Sequence, residues 1–317
     1  MPSCYVAFSP RYDISALGLE KLHPFDSRKY GKAWALLEQR FGRGLKARQL
    51  KVDRQITRDE LLSTHSAAFL DSLRRSDVLA RAFEVPQASN VPAFLLDRMV
   101  LGPMRWATRG TYLAALRALD SGLAVNLSGG YHHAKRERAE GFSVYSDVAV
   151  AIRLLLAEGR ITKPGRIAIV DLDVHQSNGS KSIFEGDDQV AIFDVYNREI
   201  YPADRFTRPA PNRDLQIRSG MSTDAYLELI RGEFPGFLAS SSFDLAFYVA
   251  GTDIFEGDPL GGLRVSYDGV IERDLYVAEQ LTATGIPWVM VLGGGYTETS
   301  HRLVAASVGE LLERWPI

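Results

Sequence analysis

The chain has 317 residues, 46% apolar and 24% charged, with 37 Lys and Arg against 39 Asp and Glu and a formal net charge of -2. These values exclude a disordered chain and a general nucleic-acid wrapper, which would be basic. Cys4 is the one cysteine, so an intrachain disulfide and a Cys-built zinc site are excluded, and an intracellular, reducing setting is expected, cytoplasmic or, in a eukaryote, nuclear. No apolar run approaches the roughly 18 residues of a membrane span. Met1 to Ser9 lacks the basic start and long apolar core of a signal peptide.

Six short apolar runs read as buried strands: Cys4 to Phe8, Leu123 to Leu127, Ile167 to Leu172, Val190 to Val195, Leu245 to Ala250 and Trp288 to Leu292. Helical patterns lie between them. Tyr30, Ala33, Trp34, Leu37 and Phe41 share one face, and Thr57 with Glu60 has capping-box spacing before Leu61. Further helices are expected over Val148 to Ala157, Tyr226 to Phe237, Val270 to Leu281 and Arg302 to Leu312. Alternating strands and helices predict an α/β fold, a mostly parallel sheet covered on both faces. No linker splits the chain, so one domain over 1–317 is expected. Residues 28–54 carry nine Lys or Arg against two acids, which reads as a solvated face, with an acidic docking partner as the alternative.

In such sheets ligands bind beyond the carboxyl ends of the strands. Four of the predicted strands end in polar groups: Ser128 to His133, Asp171 to His175, Gly251 to Asp253 and Gly293 to Tyr296. Asp173 and His175 are two apart in an extended segment and point to one side. With Asp253 they offer one nitrogen and two carboxylates, a donor set that suits Zn²⁺ or Fe²⁺. His132 and His133 can supply the base and acid of a hydrolysis. Gly293 to Gly295 let the backbone pass close to a ligand, which makes Gly294 a substrate-contact candidate, and bring Tyr296 over the metal as an oxyanion donor.

These motifs, in this order, resemble the zinc-dependent histone deacetylase family: Gly129 to Lys135, Asp171 to His175, Gly251 to Asp253 with Gly257 to Pro259, and Gly293 to Tyr296. Leu17 to Asp26, Gln176 and Asp194 to Asn197 look like its class IV. The resemblance implies an arginase/deacetylase fold, with Zn²⁺ on Asp173, His175 and Asp253. It implies His133 as general base and then acid, oriented by Asn178, and His132 as electrostatic partner, paired to Asp171. Tyr296 would bind the oxyanion, and Gly141, Phe142 and Tyr201 would wall a lysine tunnel. A structural K⁺ is implied near Asp171, Asp173, His175 and Asp194. The implied substrate is an acyl-lysine protein or peptide, with long fatty acyl groups favoured over acetyl. The chain departs from the wider family at Ser143, Ser146, Asn178 and Ser177, which stand where many members have Cys, Asn, Asp and Gly.

Three other readings compete. A two-metal ureohydrolase would need carboxylates where Ser177 and Phe255 stand. Acetylpolyamines could replace acyl-lysine as substrate. A non-catalytic acyl-lysine binder would not need the intact His pair and Tyr296.

Overall fold

The computed structural model describes residues 2–15, 18, 25–162, 165–202 and 212–317. Eight strands form one sheet: β1 Ser3–Phe8, β2 Gln49–Lys51, β3 Gly122–Asn126, β4 Ile167–Asp171, β5 Val190–Asn197, β6 Arg213–Ile217, β7 Leu245–Val249 and β8 Trp288–Val291. Their order is β2-β1-β3-β8-β7-β4-β5-β6, and every neighbouring pair is parallel.

The six apolar runs are the six inner strands. β3, β4, β7 and β8 are apolar on both faces because both are covered. Ile167, Ile169, Phe247 and Val289 face one layer of the core; Ala168, Val170, Tyr248 and Met290 face the other. The second layer includes the helices Lys29–Phe41, Thr223–Ala239, Tyr267–Ala283 and Ser300–Arg314, and the first is closed by Asp147–Ala157 and part of Gly102–Ser121. The expected helices all form, most of them extended by one to five residues, and the one begun by Thr57 is only Arg58–Leu61.

Two strands and one long helix were not expected. β2 and β6 are the edges, short and half-exposed, and carry Lys and Arg where an inner strand carries Val or Ile. The helix Gly102–Ser121 buries Gly102, Ala107, Thr108, Gly110, Ala114, Ala115 and Ala118. A face of small residues gives little hydrophobic periodicity, so its stripe is faint in the sequence.

Among the described residues, four of the nine basic residues of the basic segment form ion pairs. Arg40 pairs with Glu310 and Glu313, Lys46 with Glu38, Arg54 with Glu60 and Lys32 with Asp26, while Lys29 is fully buried. No helix among the described residues is long and apolar enough to cross a membrane.

Strand order places the site. β3, β8, β7 and β4 are consecutive in the sheet although far apart in sequence. The four polar strand ends therefore meet at one edge.

Candidate active site

Asp173 and His175 leave the end of β4, and Asp253 leaves the end of β7. One ligand atom from each lies within 4.8 Å of the others, and all three residues are buried. His175 Nδ1 stands 3.1 Å from both Asp173 Oδ1 and Asp253 Oδ2. One imidazole nitrogen and two carboxylate oxygens converge on a volume that a divalent cation fits. Burial works against a charged His175, but the two carboxylates outweigh it and raise its pKa to about 10. A cation would displace that proton. Phe255 packs against Tyr267, and the Ser177 hydroxyl bonds Asp194, so neither position supplies a second set of ligands.

His132 and His133 follow β3. Asp147 holds the preceding turn, accepting from the backbone N–H groups of Gly130 (3.1 Å) and Tyr131 (2.8 Å) and from the Thr111 hydroxyl (2.6 Å). His132 Nδ1 meets Asp171 Oδ2 at 2.8 Å. Burial disfavours the imidazolium, yet Asp171 and Asp173 prevail and raise His132 to about 9. The pair holds its shared proton on the ring.

His133 differs. Its Nδ1 lies 2.8 Å from Asn178 Oδ1, and Asn178 Nδ2 donates to Glu140 Oε1 at 2.6 Å. Because the amide nitrogen is committed to a carboxylate, the amide oxygen must accept, which puts the proton on His133 Nδ1 and leaves Nε2 as a lone pair. Burial, then the neighbouring His132 and His175, push its pKa well below the ordinary value. The two adjacent rings, with centroids 4.1 Å apart, are thus pushed in opposite directions, His132 up and His133 down.

Tyr296 lies on the loop after β8. Its backbone N–H donates to Asp258 Oδ2 at 2.7 Å, and its ring lies 5.9 Å from His175 and 6.1 Å from Phe142. Gly294 N–H donates to Asp173 Oδ2 at 2.6 Å, and a Cβ on Gly294 would collide with Asp253. A Cβ on Gly141 would strike the His133 ring. Phe142 has φ of 62°, a left-handed conformation rare for a bulky residue, and its N–H donates to Ala82 O at 3.2 Å. Tyr201 is partly exposed, 5.1 Å from His133 between ring centroids.

Beside these groups lies a largely apolar pocket. Its inner wall is Phe83, Val85, Ala88, Leu96, Val100 and Met104, and its polar end is His132, His133, Asp173 and Tyr296. Ser143 also lines it.

Every expected catalytic and metal residue is in this cluster. The potassium expectation meets a competitor. Asp194 faces Asp171 across β4 and β5, but its Oδ2 accepts the Lys181 ammonium at 2.7 Å. Its other oxygen, Oδ1, is buried without a hydrogen-bond partner, which leaves one atom that a cation would satisfy. Of the class IV stretch, Leu17 and residues 19–24 lie outside the described residues.

Four residues of this architecture were not anticipated. Fully buried Lys29 donates to Gly293 O at 2.8 Å and Gly294 O at 2.9 Å. Buried Arg273 donates to Leu172 O and Gly251 O at 2.9 and 2.8 Å, joining the strand ends that carry the ligands. Asp147 holds the His loop, and His65 bridges Lys135 O and Ser146 N–H, each at 3.0 Å. Lys29 shares a helical face with Ala33 and Leu37, and Arg273 with Val270 and Val277; a charge within an apolar stripe was the available signal.

A possible Asp-His-Asp metal centre beside paired imidazoles, set at the carboxyl ends of a parallel sheet, is the architecture of a metal-assisted hydrolase. A histone deacetylase domain model matches residues 23–312. Histone deacetylase 2 of Arabidopsis thaliana is 39% identical over 309 residues, covering 96% of this chain and 78% of that protein. Human histone deacetylase 1 is 25% identical over 261 residues, covering 75% of this chain and 50% of its own length. The chain belongs to the histone deacetylase family.

Two solved structures share the arginase/deacetylase fold. The HDA15 HD domain aligns with a TM-score of 0.74 at 22% identity, covering 100% of this chain and 91% of that one. An acetylpolyamine aminohydrolase from Burkholderia pseudomallei aligns with a TM-score of 0.76 at 19% identity, covering 98% and 99%.

Proposed function

We propose that the chain hydrolyses the amide bond of acyl-lysine in proteins or peptides, with Zn²⁺, or Fe²⁺ in its place, on Asp173, His175 and Asp253. The observation that carries this reading is the chain from His133 Nδ1 to Asn178 to Glu140, which leaves His133 Nε2 for the reaction, beside the three-residue cluster and the apolar pocket. A bound divalent ion would polarise the acyl carbonyl and acidify a water. His133 Nε2 takes the proton of the attacking water and returns it to the leaving amine nitrogen. His132, kept charged by Asp171, offsets the negative charge that develops. The Tyr296 hydroxyl donates to the tetrahedral oxyanion. Phe142 and Tyr201 flank the lysine methylenes, and Gly294 lines the pocket at the acyl end. Asp194 Oδ1 supports a structural K⁺ beside Asp171, Asp173 and His175.

The same reading treats residues 1–317 as one catalytic domain, class IV-like, in an intracellular setting that suits the buried, unpaired Cys4. It also assigns the apolar wall to a long acyl chain. Each methylene placed there contributes about 0.8 kcal/mol, roughly fourfold in binding. The test is a matched lysine-peptide series from acetyl to palmitoyl with zinc-loaded protein, and acetylpolyamines in parallel. kcat/KM is expected to rise with chain length, and Val100→Trp is expected to reduce long-chain hydrolysis more than acetyl hydrolysis. A rate highest at acetyl removes the long-chain assignment. Turnover of acetylpolyamines alone replaces acyl-lysine as the substrate class.

A further inference from the structure

Ser177 and Lys181 bracket the turn that presents Asn178. Ser177 donates twice to one oxygen of Asp194, through its backbone N–H at 3.1 Å and its hydroxyl at 2.9 Å. The Lys181 ammonium meets that same oxygen at 2.7 Å and also contacts Asp214 on the edge strand β6. Lys181, Ser177 and Asp194 are buried. The ammonium also lies 4.6 Å from the Tyr196 ring centroid. One carboxylate on β5 therefore collects three donors from a single turn of chain. Between the first and last of them sits Asn178, the residue that sets the His133 tautomer.

We propose that Ser177 and Lys181 form, with Asp194, a clamp that positions Asn178 against His133. Lys181 is a positioning residue, acting on the reaction through the Asn178 amide and not by touching substrate. The clamp gives a use to two residues outside the acid-base and ligand sets. Ser177 adds a hydroxyl bond that a glycine there would lack, and Lys181 sets a buried ammonium against the same Asp194 oxygen that accepts the two Ser177 donors. The second carboxylate, Asp214, draws the edge strand in and balances the ammonium, so the clamp is anchored from two strands.

This inference rests on the hydrolase reading, because it takes His133 as the base. It predicts that metal-loaded Lys181→Met loses about tenfold or more in kcat, the scale of a displaced catalytic group, with KM and bound metal unchanged. Ser177→Ala, which removes one hydroxyl bond and leaves no stranded charge, loses less in the same direction. The deciding measurement is a double-mutant cycle: in an Asn178→Ala background, Lys181→Met should change kcat no further, since its effect runs through the missing amide. A merely structural role for Lys181 would give additive losses, and that result overturns the clamp, as does wild-type kcat in both single variants. Wild-type protein inactive on acyl-lysine and acetylpolyamine alike would instead refute the hydrolase reading. The clamp is then read from the hydrogen-bonded Nδ1 proton of His133 in ¹⁵N-histidine-labelled protein, assigned by its loss in Asn178→Ala. That resonance should weaken in Lys181→Met, and its persistence unchanged overturns the proposal.

Discussion

His65 should make the fold sensitive to mild acid. Its ring is buried, with Nδ1 against Lys135 O and Nε2 against the Ser146 N–H. A backbone N–H can only donate, so Nε2 must be a lone pair and the ring must be neutral. Burial, partly offset by the bond to Lys135, lowers the pKa from its ordinary 6.5 to about 4. The unfolded chain takes up the proton near pH 6.5; the folded chain resists until about pH 4. Between those values the unfolded state binds more protons, so stability falls as pH drops through the window. The contribution is full above it and constant below it. At about 1.4 kcal/mol per unit, the loss across the window is about 3 kcal/mol. Gln at this position can still accept from Ser146 and donate to Lys135, and it does not titrate. Urea unfolding of wild type and His65→Gln at pH 7 and pH 4.5 measures the difference directly. Wild type should lose about 2 to 3 kcal/mol more than the variant on acidification, whatever the remaining carboxylates contribute to both. Equal losses would refute the neutral-strut account.

The other expectations concern the site. Asp253→Ala should abolish stoichiometric zinc binding while the sheet persists, by metal analysis and circular dichroism, because a three-ligand site does not survive with two. Removing the ion with a chelator should abolish turnover, and added Zn²⁺ should restore it. Tyr296→Phe should keep KM and lose roughly 10²–10³ in kcat, the scale of one oxyanion donor, and wild-type kcat would remove that role. His133→Ala should lose at least about 10² in kcat, read in the same steady-state assay.

How much of this was legible follows from where each signal lives. The inner strands were readable because burial on both faces demands an unbroken apolar run. β2 and β6 were not, since an edge strand is specified by its neighbour's unpaired backbone and needs no such run. Thr57 and Glu60 form both halves of their capping box, at 3.2 and 2.7 Å, but a cap marks a start and not a length, and the helix is only Arg58–Leu61. The ligands and the His pair were visible because strand ends concentrate chemistry in local sequence. Lys29, Arg273, Asp147 and His65 were hidden because their partners lie in other elements: Lys29 is 264 residues from Gly293, and Arg273 is 101 from Leu172. Only strand order brings such pairs together.

Those hidden residues explain how so many buried acids can share one site. Asp171, Asp173, Asp194 and Asp253 are all at or below 1% exposure, and a chain that buried them unsupported would unfold or protonate them. Each of three buried cations is fixed to specific oxygen atoms. Arg273 pairs with Asp274 and grips the two strand ends that carry the ligands. Lys29 grips the glycine loop that leads to Tyr296, and Lys181 neutralises Asp194 behind Asp171. Lys29 shows the tension most clearly. Burial lowers its pKa to about 8, and Asp253 and Asp173 are the largest influences holding it up. The ammonium therefore stays in place because the ligand carboxylates are there, and its bonds to Gly293 and Gly294 in turn hold the loop whose N–H binds Asp173. The acids and the cations stabilise each other's burial, and these contacts hold the carboxylates of Asp173 and Asp253 convergent on His175.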